Sequence, residues 1–163
     1  MRSRNTKNQK GFTIIEVVLV LAIAGLIFLI VFLALPQLQR SRRDTQRKND
    51  AGRLLAALEN YAGNTNGDYP SNALNVQSQV VNAYLNSSDW RDPDTGAAYS
   101  LVDVTASSTS AVDIAGEIGY EQNAQCRATG ITPQDALDPG AGDRSIAVVM
   151  FQESGGVYCQ DNR

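Results

Sequence analysis

Hydrophobic and polar positions divide the chain into distinct regimes. Residues 12–35 are apolar on every side: Thr13 and Glu16 are the only polar side chains in the run, and no charge follows Glu16. A surface helix of this length would be amphipathic. At ~1.5 Å per residue such a run spans about 36 Å, enough for a ~30 Å hydrocarbon core with some tilt, so a membrane-inserted helix is predicted. Residues 37–50 are almost wholly polar, with Leu38 the exception. They show no apolar face, so this neck is expected to stand clear of the body. Periodicity returns at Ala51, Leu54, Leu55, Leu58, Tyr61 and Ala62, one helical stripe. Gly63 and the Asn64-Thr65-Asn66-Gly67 run end it. One helix is therefore expected from residue 12 to about residue 62, its last three turns forming the spine of a body.

Beyond the helix the pattern turns to strands. Residues 98–104 read as a first strand, 111–120 as a weaker second, 145–151 as the strongest and 156–159 as a short last one. The Ser-, Thr-, Gly- and Asp-rich stretches 103–117 and 129–144 read as exposed loops. The fold class is α+β, a small antiparallel sheet laid on the helix stripe, and the length of 163 residues suits one modest domain. The expected organisation is a basic leader (1–11), the helix (12–62) and a head (63–163).

Charge sharpens this division. The leader carries Arg2, Arg4, Lys7 and Lys10 and no acid, and the neck region carries Arg40, Arg42, Arg43, Arg47, Lys48 and Arg53 against Asp44 and Asp50. From residue 54 onward there are fourteen acids against four arginines. An acidic body argues against a nucleic-acid site, which needs clustered cations. The chain has no His, which excludes Ser–His–Asp and Cys–His catalysis and every imidazole zinc site. Two Cys cannot hold a Cys₄ zinc or an iron–sulfur cluster. No Walker A, G-x-G-x-x-G, G-x-S-x-G or H-E-x-x-H sequence occurs. A non-enzymatic protein without a cofactor is expected. Calcium has two candidate acidic sets, Asp89 with Asp92 and Asp94, or Asp135 with Asp138 and Asp143, neither matching an EF-hand; solvated acidic loops are the plainer reading.

The apolar run is too long for a removable secretory signal, and no small-x-small site follows it. Both flanks are basic, so the orientation rests on the body: an acidic domain with a Cys pair suits the outside. Cys126 and Cys159 most simply pair there, the alternative being two reduced thiols. Glu16 is the anomaly, because a carboxylate inside an apolar helix costs about 2.5–3.5 kcal/mol on insertion scales. It either reaches the headgroups or is protonated, or it needs a cationic partner within the membrane.

The segment Lys10-Gly11-Phe12-Thr13-Ile14-Ile15-Glu16 resembles the prepilin cleavage motif of type IV pilins and pseudopilins: a short basic leader ending in Gly, then Phe, then Glu at the fifth mature position, then a long apolar helix. The resemblance implies cleavage between Gly11 and Phe12 by a prepilin peptidase on the cytoplasmic face, and N-methylation of Phe12. It also implies that Glu16 neutralises the Phe12 amine of a neighbouring subunit. The physics agrees, since an α-amine with a pKa of ~7.7–8.0 is largely cationic at neutral pH. Two buried opposite charges also set register, because a shifted subunit leaves one of them unpaired. Gly25 and Pro36 sit where the family's helix melts locally, Pro36 about one turn later than usual; a plain kink is the alternative. Asn66-Gly67-Asp68-Tyr69-Pro70 and Asp92-Pro93-Asp94-Thr95-Gly96-Ala97-Ala98-Tyr99 resemble turns common in these families. A disulfide-closed C-terminal loop agrees with the same resemblance. The basic neck has three candidate roles: facing lipid headgroups before extraction, facing acidic neighbours in a filament, or lying solvated.

The resemblance implies a pilin-like fold and a structural subunit of a type IV pilus, polymerising with copies of itself into a filament for adhesion, motility or DNA uptake. Its partners would be the prepilin peptidase, the assembly machinery and, before assembly, the bilayer; its location would be the cytoplasmic membrane and then the cell surface. A pseudopilin of a type II secretion system or competence system is the first alternative, and a single-span membrane-anchored ligand-binding protein the second.

Overall fold

The computed structural model describes residues 11–86, 88–104, 116–127 and 132–163. The leader positions 1–10, the first half of the expected 111–120 strand and parts of both expected loops lie outside the described residues. Helix α1 runs Ile14–Asn64 and continues through Gly25 and Pro36. The chain divides into two compact units, the described residues up to Leu38 and those from Gln39 to Arg163.

The first unit is the apolar part of α1. Its most apolar 18-residue window has a mean hydropathy of 3.3, and none of that window is buried. A helix segment that is hydrophobic all round and unburied is stable in lipid or against copies of itself, not in water.

The second unit begins with the rest of α1. Gly67, at φ 91°, ends the helix by donating its N–H to the Ala62 carbonyl at 2.8 Å, with Asn66 also left-handed at φ 60°. A further helical segment then runs through α2 (Ala73–Asn75), a π-helical stretch (Val76–Val81) and α3 (Asn82–Tyr84). Asn72 caps it by accepting the Asn75 N–H at 2.8 Å. Six strands follow: β1 (Ser100–Asp103), β2 (Glu117–Gln122), β3 (Ala124–Cys126), β4 (Leu137–Pro139), β5 (Ile146–Phe151) and β6 (Val157–Asp161). The main sheet has the order β1-β2-β5-β6, and β3 pairs with β4 in a separate hairpin. The β2–β5 and β5–β6 pairs are antiparallel, as expected for an α+β body, but β1 joins β2 in parallel. Thirteen residues separate Asp103 from Glu117, long enough for a crossover rather than a hairpin.

Strand β5 organises the core because it is covered on both faces. Ile146, Val148 and Met150 join Leu54, Leu55 and Leu58 of α1, Val76, Val80 and Val81, Trp90 and Tyr99, and Ile118 and Tyr120 of β2. Ala147 and Val149 face the other way, into a smaller cluster with Val104, Ala124, Ala136 and Leu137. This second cluster corrects the expectation of an exposed loop over 129–144: within its described part, Ala136 and Leu137 are buried and β4 pairs with β3. The Cys126–Cys159 disulfide ties this hairpin to β6, with the two Cα atoms 5.7 Å apart.

The neck also departs from expectation. Asp44, Arg47 and Asp50 are buried against the body, Arg47 with 1% of its surface exposed. Charge complementarity does here what apolar periodicity does two turns later.

Candidate functional site

Two regions carry chemistry, one in each unit. The first is the start of α1. Thr13 precedes the helix, and its side-chain oxygen lies 3.4 Å from the Glu16 N–H. Glu16 reaches back: its Oε2 accepts the Thr13 N–H at 2.9 Å and the Thr13 hydroxyl at 2.7 Å. This reciprocal pair is a capping box, which satisfies amide groups that a helix start otherwise leaves open. Glu16 Oε1 accepts no hydrogen bond among the described residues, so the carboxylate keeps a free oxygen for an outside donor. Phe12 is 88% exposed beside it, and Gly11 lies immediately upstream, outside the helix. A Cβ built on Gly25 meets nothing within 4 Å, so packing within the chain does not require glycine there.

The second region is a charged collar around the neck. Arg47 Nη2 donates to Asp92 Oδ1 at 2.7 Å, and Arg47 Nη1 pairs with Glu153. Arg43 Nε donates to Glu153 Oε1 at 2.8 Å, and Arg43 Nη1 lies 3.4 Å from Asp94. Asp44 accepts the backbone N–H of Glu153 at 2.8 Å and of Ser154 at 3.0 Å, holding the turn between β5 and β6. Asp50 accepts the Tyr99 hydroxyl at 2.9 Å, and its carbonyl accepts the Trp90 indole N–H at 3.1 Å. Lys48 sits 5.3 Å over the Tyr158 ring.

Electrostatics follow from this geometry. The Arg43 hydrogen bond leads the contacts that lower the Glu153 pKa below its ordinary value, with Arg47 adding to them. Burial alone would raise Asp44, but its hydrogen bonds to Ser154 and Glu153 and the nearby Arg47 hold it below the ordinary range. Burial alone would lower Arg47, and the Asp92 and Glu153 carboxylates more than offset that. Tyr99 is pushed far up by burial and by Asp50.

The Asp92–Tyr99 segment is thus more than a turn leading into a strand. Asp92 N–H donates to the Ala97 carbonyl at 2.9 Å and Gly96 N–H to the Asp92 carbonyl at 2.8 Å, closing a loop whose Asp and Tyr both grip the neck. Gly116 backs this loop at φ +102°, and a Cβ there would lie 2.7 Å from Asp92 Oδ2. Arg43, Arg47, Glu153 and Gly116 were not singled out by sequence reasoning. The available signal was the stripe: Asp44, Arg47 and Asp50 extend the helical spacing of Ala51, Leu54, Leu55 and Leu58 toward the N-terminus.

The acidic sets are largely committed elsewhere. Asp92 and Asp94 pair with arginines, Asp138 pairs with Arg127 at 2.9 Å, and Asp135 accepts the Thr132 hydroxyl at 2.8 Å. Among the described residues no group of three or more His, Cys, Asp or Glu side chains is gathered as metal ligands.

No curated protein matches the chain, and no solved structure matches it either. A family model described as the prokaryotic N-terminal methylation motif matches residues 6–32, spanning the Gly11–Phe12 junction, Glu16 and most of the apolar run. The chain thus carries the prokaryotic N-terminal methylation motif at the start of its long apolar helix.

Proposed function

We propose that the chain is a structural, non-enzymatic subunit of a type IV pilus, made as a membrane-anchored precursor and polymerised through its N-terminal helix into a cell-surface filament. The observation that carries this reading is the pairing of an apolar helix buried nowhere in its own chain with a carboxylate, Glu16, at its start. Such a helix needs a bilayer first and neighbouring helices afterwards. In this reading a prepilin peptidase cuts between Gly11 and Phe12, the Phe12 amine is methylated, and Glu16 of one subunit pairs with that amine on the next. An uncompensated charge in an apolar filament core is costly, so the pairing fixes axial register. Gly25, midway along the membrane segment, and Pro36, at its junction with the neck, weaken the helix, and local unwinding there would let the head adjust as subunits pack. The collar holds the head on the neck and the disulfide closes the head itself, so that force carried along the helix reaches a closed body.

A pseudopilin of a secretion or competence system is the second reading. The Asp92-Pro93-x-x-Gly96-x-x-Tyr99 loop, which here grips α1, suits this second reading, while the Cys126–Cys159 pair favours the pilin.

The deciding experiment is mass spectrometry of the N-terminus of protein from its native cells, followed by labelling of surface fibres. A methylated chain starting at Phe12 and present in long fibres supports the pilus reading. The same N-terminus without fibres supports the pseudopilin. A chain still starting at Met1 overturns both.

A further inference from the structure

We propose that Arg40 and Arg42 bind the phosphates of anionic phospholipid headgroups where α1 leaves the membrane. The region from residue 40 to 53 holds six cations, a load that the positive-inside tendency does not lead one to expect on the flank the acidic body places outside. Four of them are occupied within the molecule: Arg43 by Glu153 and Asp94, Arg47 by Asp92 and Glu153, Lys48 by the Tyr158 ring and Arg53 by Asp50. Arg40 and Arg42 are exposed and make no ion pair among the described residues. Both lie at the membrane end of the neck, five and seven residues past Leu35. At ~1.5 Å per residue their backbones lie about 8–11 Å along the helix past the apolar run, at the outer edge of a headgroup layer about 5–8 Å thick per side, within reach of long Arg side chains that fold back toward the membrane.

Their azimuths identify the partner. Two residues of helix turn through about 200°, so Arg40 and Arg42 leave opposite sides of α1. A single protein patch meets one side of a helix. Lipid surrounds the helix and offers phosphate on every side. Guanidinium groups bind phosphate oxygens in a two-pronged geometry, and their alkyl stems reach along the apolar boundary.

This inference rests on the membrane-inserted reading of residues 12–35, which the test checks separately. The full-length protein is reconstituted in bilayers of mixed phosphatidylcholine and phosphatidylglycerol, and resistance to an alkaline wash reports insertion. Native mass spectrometry of the released protein then counts retained lipids. The wild type is expected to favour phosphatidylglycerol by roughly tenfold or more, as two cations at an anionic surface give. R40Q/R42Q should insert equally and lose the preference, while R91Q, an exposed head arginine, keeps it. Inorganic phosphate at matched ionic strength should not displace the lipid; displacement would reassign the site to a free anion. Inserted wild type without a preference, or R40Q/R42Q with an unchanged one, overturns the proposal. Loss of self-crosslinking in R40Q/R42Q with lipid preference intact would also overturn it, in favour of a second copy of the chain.

Discussion

Arg47 and Asp92 lie 45 positions apart in sequence and 2.7 Å apart in space, both almost fully buried. The guanidinium sits on the third turn of the neck, and the carboxylate opens the loop that leads to β1. Neither residue type is at home in a core alone. Glu153 takes the other side of the guanidinium, so the positive charge meets carboxylates on two sides, and Arg43 completes the set. The result is a junction whose strength depends on every member being present.

Removing one member should therefore cost more than the pair contributes. Arg47→Gln leaves Asp92, Glu153 and Asp44 crowded without their shared cation, and the expected loss is about 3–5 kcal/mol of head stability. Asp92→Asn should cost a similar amount. Urea unfolding of the detergent-solubilised protein, followed by Trp90 fluorescence, reads both. The double variant should lose much less than the sum of the singles; additive losses would mean that the two side chains do not act as a unit.

The pH dependence of stability has two opposed limbs. Burial, with Asp103 adding to it, pushes Glu121 up to about 7 from an ordinary 4.5. The folded head therefore holds this proton more tightly than the unfolded chain, and the associated stability is present below about pH 4.5 and lost as pH rises toward 7. Asp44 and Glu153 work in the other direction: their depressed values give stability that is lost as pH falls through them. Maximum stability should fall on the acidic side of neutral. Glu121→Gln should flatten the limb between pH 4.5 and 7 and leave the acid limb intact, as thermal melts across pH would show.

The disulfide closes a separation of 33 residues and clamps the β3–β4 hairpin to β6. In the chain-entropy account a loop of that size stabilises by on the order of 3–4 kcal/mol. Cys126→Ser with Cys159→Ser should lower the urea midpoint accordingly. The smaller cluster around Ala124, Leu137 and Val149 should become exchange-labile first, because it has the least apolar area to hold it.

The parts of this fold that were legible in sequence are those where one period dominates. The apolar run, the Leu54–Leu58 stripe and β5 each repeat a single signal, and the Gly11–Phe12–Glu16 spacing is a local motif. The 73–84 helix was readable in retrospect, since Ala73, Val76, Val80 and Val81 share one face, but the Asn, Gln and Ser between them masked it. Strands β3 and β4 have three residues each and are held by the disulfide and the second cluster, so no period could announce them. The parallel β1–β2 pairing depends on a crossover, which strand patterning does not encode. The collar was missed for a different reason. Hydrophobic periodicity treats a charged helix as solvated, and a face buried by salt bridges carries the same spacing in residues that such a scan discards.

Glu16 offers the sharpest separation of structure from function. Within its own chain it is a capping-box carboxylate, bound twice by Thr13. Thr13→Ala removes the hydroxyl contacts of that cap, keeps the backbone N–H bond to Glu16, and should cost about 1 kcal/mol or less at the helix start, with little effect elsewhere. Glu16→Ala removes both the cap contact and the charge needed by a neighbour's amine. If capping were its whole role, the two variants would assemble alike. The assembly reading instead expects Thr13→Ala to form filaments near wild-type yield and Glu16→Ala to form almost none, with both cleaved normally after Gly11. Glu16→Gln refines the comparison, since the amide can still accept from Thr13 but cannot neutralise an amine. Its filament yield should follow Glu16→Ala. Sheared-fibre yield by immunoblot, beside the mass of the mature N-terminus, measures both halves in one preparation, and a Glu16→Gln strain with normal fibres would remove the inter-subunit charge pair from the mechanism.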